Sequence, residues 1–149
     1  MSNTKLTYEE LLIKEKISNY MINSREVASL EIQLGSLKDM NSIGSTKFGE
    51  VTGTTNLPSS KIENMVIRKL IIEEQLKNIK KELEDIDYAV NQLKGDEKEV
   101  VDLLILEYKI SEIADKFNCK RKRIEIIRKR AFKKIYILIC EHNNTKWNY

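Results

Sequence analysis

The sequence predicts an all-α protein: an N-terminal helical hairpin or coiled coil followed by a C-terminal cluster of short helices. Three observations predict it. One Pro and five Gly in 149 residues leave long stretches free to stay helical. Apolar residues recur at spacings of three and four over most of the chain. The capping-box pattern, in which a Ser, Thr or Asp is followed three residues later by Glu, occurs at Thr7–Glu10, Ser60–Glu63 and Asp96–Glu99.

Residues 1–40 form the first segment, helical from about Thr7 to Met40. Ile13, Ile17, Tyr20, Val27, Leu30, Leu34 and Leu37 supply its apolar stripe, with a break expected near Ser24 or Gly35. Residues 41–59 read as a mobile linker, because Gly44, Gly49, Gly53 and Pro58 stand among Ser, Thr and Asn. No Gly-Lys-Ser/Thr follows those glycines, so they do not make a phosphate loop.

Residues 60–94 form the long coiled-coil helix. Ile62, Met65, Ile72, Leu76, Ile79, Leu83, Ile86, Val90 and Leu93 keep one register, broken only by Lys69. Val66, Ile67, Leu70 and Ile71 widen the stripe near its start, where more than one neighbour is expected. The stripe fits either a prop against the first helix or a homodimer through the 61–93 helix. Gly95 is expected to end this helix and Asp96 to cap the next. Residues 95–140 hold short helices, and 141–149 form a polar tail expected to fray.

Charge is distributed unevenly. Residues 120–134 carry nine basic side chains and one acid, a local charge of +8 in a chain of net +3, which leaves −5 elsewhere. A basic block on an acidic body is the footprint of a polyanion binder. No apolar run approaches the ~18 residues of a membrane span, and the first residues lack a signal-peptide layout. A cytoplasmic location and no membrane contact are expected. Cys119 and Cys140 have no metal-site spacing and His142 stands alone. The paired acids Glu73-Glu74 and Glu84-Asp85 read as solvent-facing, with no His or nucleophile nearby. No enzyme, metal or cofactor is expected.

The basic block begins at a helix-turn-helix pattern. Ile113, Ala114 and Phe117 share one helix face, and Ala114 is small enough for a second helix to cross closely. Asn118 suits a left-handed turn residue, and Cys119 a small apolar contact beside it. A second helix starts near Lys120 with Ile124, Ile127, Ala131 and Ile135 inward. The side chains placed to meet duplex DNA are Lys120, Arg121, Lys122, Arg123, Glu125, Ile126, Arg128 and Lys129.

Glu112-Ile113-Ala114 resembles the Glu-Ile-Ala of sigma-factor region 4. Lys120 to Ile135 resembles the recognition helix of that region, and Asp96 to Tyr108 the helix before it. The likeness covers the last third of the chain. The whole layout is similar to phage late-gene regulators of the ArpU and RinA type. That resemblance implies a DNA-binding regulator of viral transcription, with RNA polymerase as a candidate second partner. Three departures stand out. The loop before Glu112 is short, Lys120 replaces the usual Ser or Thr cap, and Ile126 replaces a polar base reader, so it is suited to a thymine methyl. Two other readings remain open: a small terminase subunit for DNA packaging, and a coiled-coil interaction module whose basic helix meets an acidic protein.

Overall fold

The computed structural model describes the backbone of residues 4–50 and 59–147 and the side chains of 4–39 and 61–144. It holds six helices and, among the described residues, no strand: α1 Tyr8–Ser18, α2 Tyr20–Glu50, α3 Ser59–Gln92, α4 Gly95–Ile105, α5 Ile110–Lys116 and α6 Arg121–Trp147. The chain is all-α. Among the described residues, no helix is long and apolar enough to cross a membrane.

Several boundaries differ from expectation, each for a local reason. Thr7 caps α1 as the sequence indicates: its hydroxyl accepts from the Glu10 N–H, and Glu10 Oε1 accepts from the Thr7 N–H at 2.9 Å. The break in the first segment falls at Asn19, neither at Ser24 nor at Gly35. Asn19 closes α1 by donating its N–H back to Glu15 and Ile17, and Ser24 donates back to the Tyr20 carbonyl inside α2. α2 runs to Glu50, so the first ten residues of the expected 41–59 linker are helical; its residues 51–58 lie outside the described ones. Ser60 lies within α3 and is not its cap. Asp96 does not cap α4 either: that helix starts from Lys94 with no side-chain cap, and Gly95 takes φ +63°.

Two compact units result: Met1–Ser24 with Lys81–Tyr149, and Arg25–Lys80. The second is a hairpin. Val27, Leu30, Leu34 and Leu37 of α2 pack on Ile72, Leu76 and Ile79 of α3, and Lys80 pairs with Glu31 at 2.9 Å. This is the intramolecular use of the stripe, over its middle. Ile62, assigned to the same register, is exposed.

The first unit uses the rest of the stripe differently. Ile86, Val90 and Leu93 join Ile13 and Ile17 of α1 and Phe132, Ile135 and Ile139 of α6 in one core. The Tyr20 hydroxyl donates to Asp87, and burial with that acceptor holds the phenol up at about 12. The C-terminal part of α6 covers the outer side of α3. His142 stacks on Tyr88 with ring centroids 4.0 Å apart, and Lys81 donates to Asn143 at 3.2 Å. The tail expected to fray is therefore helix through Trp147. Asp85, expected to face solvent, is buried with Oδ1 lacking a hydrogen-bond partner.

Candidate nucleic-acid interface

α4, α5 and α6 form a three-helix block around Val100, Ile113, Ala114, Ile124 and Ile127. Two turns of the same construction join them. At the end of α4, the Tyr108 N–H reaches the Leu103 carbonyl at 3.1 Å and the Glu107 N–H reaches Leu104 at 2.9 Å. At the end of α5, the Cys119 N–H reaches Ala114 at 3.0 Å and the Asn118 N–H reaches Asp115 at 3.2 Å. These are Schellman pairs, each needing a left-handed residue after the cap. Asn118 takes it with φ 51° and Glu107 with φ 71°. Asn118 was legible in the sequence. Glu107 was not, because Glu is a poor left-handed residue, and the short loop forces it into that role.

Glu112 fastens the start of α5: its Oε1 accepts from the Lys109 N–H at 3.0 Å. Ile113 and Ala114 are buried behind it. Cys119 packs at the edge of the same cluster, which satisfies the turn's apolar requirement. α6 then begins at Arg121, with Ile124, Ile127, Ala131 and Ile135 inward as the spacing predicts, and Phe132 buried beside them.

The eight expected DNA-facing residues divide. Lys120, Arg121, Lys122 and Arg123 are all exposed at the start of α6, and Ile126 is half-buried. Arg121 is 70% exposed and lies 3.3 Å from Glu125, one turn on, so Glu125 orients an arginine on the same surface. Arg123, 66% exposed, lies 4.0 Å from Asp96. Ion pairs this exposed contribute little to stability and yield readily to a competing anion.

Arg128 and Lys129 belong elsewhere. The Arg128 guanidinium lies 6.0 Å from the Phe132 ring centroid, in a small cavity with Ile17 and Leu104. Its Nε is buried without a partner. Burial, with Arg121 adding to it and Glu125 opposing, lowers its pKa from the usual guanidinium value. Lys129 donates to Glu10 Oε1 and to the Lys5 carbonyl, both at 2.7 Å. Glu10 is only 2% exposed. Burial alone would raise its carboxyl, but Lys129 and Thr7 outweigh it and hold it below the ordinary value. Lys129 is thus the counter-ion of a buried acid, and its charge is spent inside the fold.

The sequence reading left out Arg130 and Lys134. Both line an open groove of about 1080 Å³ with Lys120, Lys122, Arg123 and Ile126. They follow Arg123 by seven and eleven residues and so share its side of the helix; that spacing was the available signal. Lys134 also bonds Glu97 at 2.8 Å. The groove is lined by more basic than acidic side chains, with Asp96, Glu97 and Glu141 among them, and has a short apolar floor. No protein-family model, curated protein or solved structure matches the chain.

Proposed function

We propose that the chain is a sequence-specific DNA-binding transcription regulator, phage or prophage encoded and acting on late-gene promoters, with RNA polymerase as a second partner. One observation carries the DNA reading. The Asn118 turn leads into the start of α6, where four consecutive basic side chains, Lys120 to Arg123, are exposed. Helix starts of this kind enter the major groove, and arginines there reach guanine edges. The late-gene role and the polymerase contact rest on the resemblance to sigma-factor region 4 and to the ArpU and RinA type.

The test compares Arg121→Ala with Lys133→Ala on a fragment enriched by genomic pulldown and on scrambled DNA. Arg121→Ala should lose roughly 1–3 kcal/mol on the specific site alone. Lys133, exposed further along α6, should weaken both DNAs equally. With about four phosphate contacts, the log–log salt slope should be roughly −4. Equal loss on both DNAs by both variants would mean a non-specific polyanion grip.

A further inference from the structure

The first half of α3 carries apolar residues on two sides, with charged residues interleaved between them. One side, Ile72 and Leu76, is buried against α2. The opposite side carries Ile62, Val66, Ile67, Leu70 and Ile71, and each of them is about half exposed, Leu70 the most at 58%. Ile62, Val66 and Leu70 form one row at spacing four, and Ile67 and Ile71 form the adjacent row. An apolar helix face is ordinarily buried, yet these residues stay about half exposed, and none of the described residues of the hairpin is packed on them.

We propose that this outer face of α3 is where a second copy of the chain docks, antiparallel, about a two-fold axis at Leu70. The proposal is independent of the DNA reading. Three observations favour a second copy over another occupant. First, among the described residues of the hairpin, four are buried: Leu30, Leu37, Ile72 and Leu76. A unit of about 60 residues is marginal even with a full core, and pairing two hairpins through α3 gives that helix a core on both sides. Second, the area suffices. Five half-exposed aliphatics present on the order of 500 Å², near the top of what monomers leave open. Two copies bury about 1,000 Å² before flanking stems are added, the size at which an interface becomes specific.

Third, one charged pair on this face, Glu63 with Lys77, is self-complementary in one direction only. Glu63 and Lys77 are both exposed and each lies seven residues from Leu70. Antiparallel pairing about Leu70 sets Glu63 of each copy against Lys77 of the other, twice. Parallel pairing would set Glu63 against Glu63. In the antiparallel register Ile67 and Ile71 also interleave with Ile71 and Ile67 of the second copy. A two-fold contact of this kind is closed and does not propagate.

The experiment is sedimentation equilibrium of the full chain from about 1 to 100 μM, with circular dichroism to confirm helicity. The expected result is a dimer that Leu70→Glu weakens at least about 30-fold, some 2 kcal/mol, with helicity retained because Leu70 is half exposed in the single chain. Glu63→Lys should weaken the dimer about tenfold, and adding Lys77→Glu should restore it. A monomer at 100 μM, a ring of eight or more copies, or a dimer indifferent to Leu70→Glu would overturn the proposal. Failure of the charge swap to rescue would overturn the antiparallel register.

Discussion

Ile71 and Ala89 are eighteen residues apart on α3, five helical turns, and therefore lie on the same side of that helix. Ala89 is completely buried, while Ile71 is 52% exposed. Nothing in the local sequence accounts for the contrast, since the larger and more apolar residue is the exposed one. What differs is the company. Around Ala89, α3 is packed by α1, α4 and α6; around Ile71, among the described residues, it is packed by α2 alone. Burial in a helical protein is set by how many helices meet at a level along the axis, and the two units differ in that number.

The contrast can be broken most severely at the core. Ile124→Ala, at a fully buried site shared by α4, α5 and α6, should cost roughly 2–5 kcal/mol and remove DNA binding by unfolding. Ile67→Ala, on the bare face, should shift the stability of the single chain by no more than about 0.5 kcal/mol. Thermal melts at low protein concentration would measure both. Equal losses would mean the outer face of α3 is already covered within one chain.

Next in size is the Lys129–Glu10 pair. Lys129→Ala leaves a buried carboxylate without its counter-ion and should cost about 3 kcal/mol. Lys133→Ala, one turn on and exposed, should leave stability unchanged and act only on the DNA affinity proposed above. The pH dependence follows with a definite sign. The folded pKa of Glu10 lies below its ordinary value of 4.5, so its contribution is complete above that value and is lost as pH falls through the lower folded one. Melting temperatures over about pH 2 to 7 should show an acid limb that Glu10→Gln flattens. An unchanged limb would remove Glu10 from the account.

The smallest expected effect concerns the twin turns. Glu107→Gly relieves a left-handed Glu and should stabilise the fold by up to about 1 kcal/mol. Asn118→Gly should change it by a few tenths at most, since Asn tolerates that conformation. Chemical denaturation resolves the difference, and a stabilised Asn118 variant beside an indifferent Glu107 variant would invert it.

Much of the fold was legible. The heptad register, the Thr7–Glu10 box, the Asn118 turn and the inner face of α6 all come from patterns within a few residues of each other, and such patterns survive folding. What was not legible depends on distant partners. The register from Ile72 to Leu93 is continuous, yet it changes partner near residue 80, because Asn19 divides the N-terminal helix and α1 packs in the other core. Lys129 and Lys122 look alike within a basic run; only the arrival of Glu10, 119 residues away, separates them. The polar tail looked loose because the stacking partner of His142 is Tyr88, on another helix. The exposure of Arg121 and its neighbours follows from a local pattern; Arg130 and Lys134 carried only a helical-spacing signal, and the groove that joins them to Arg123 also needs the α3–α4 junction.

α6 is 27 residues without an interruption, a rod of about 40 Å. Its first turn presents Arg121 and Lys122, its middle is bolted to α1 through Lys129, and its far end lies against Tyr88. Such a rod cannot shift at one end alone. A tilt of about 15° around the Lys129 bolt would displace the first turn by roughly 3 Å and swing the far end by more, given ~1.5 Å of rise per residue. The two ends form a lever with unequal arms: a small displacement of the first turn would be magnified toward Tyr88, and a load placed there would tilt Arg121.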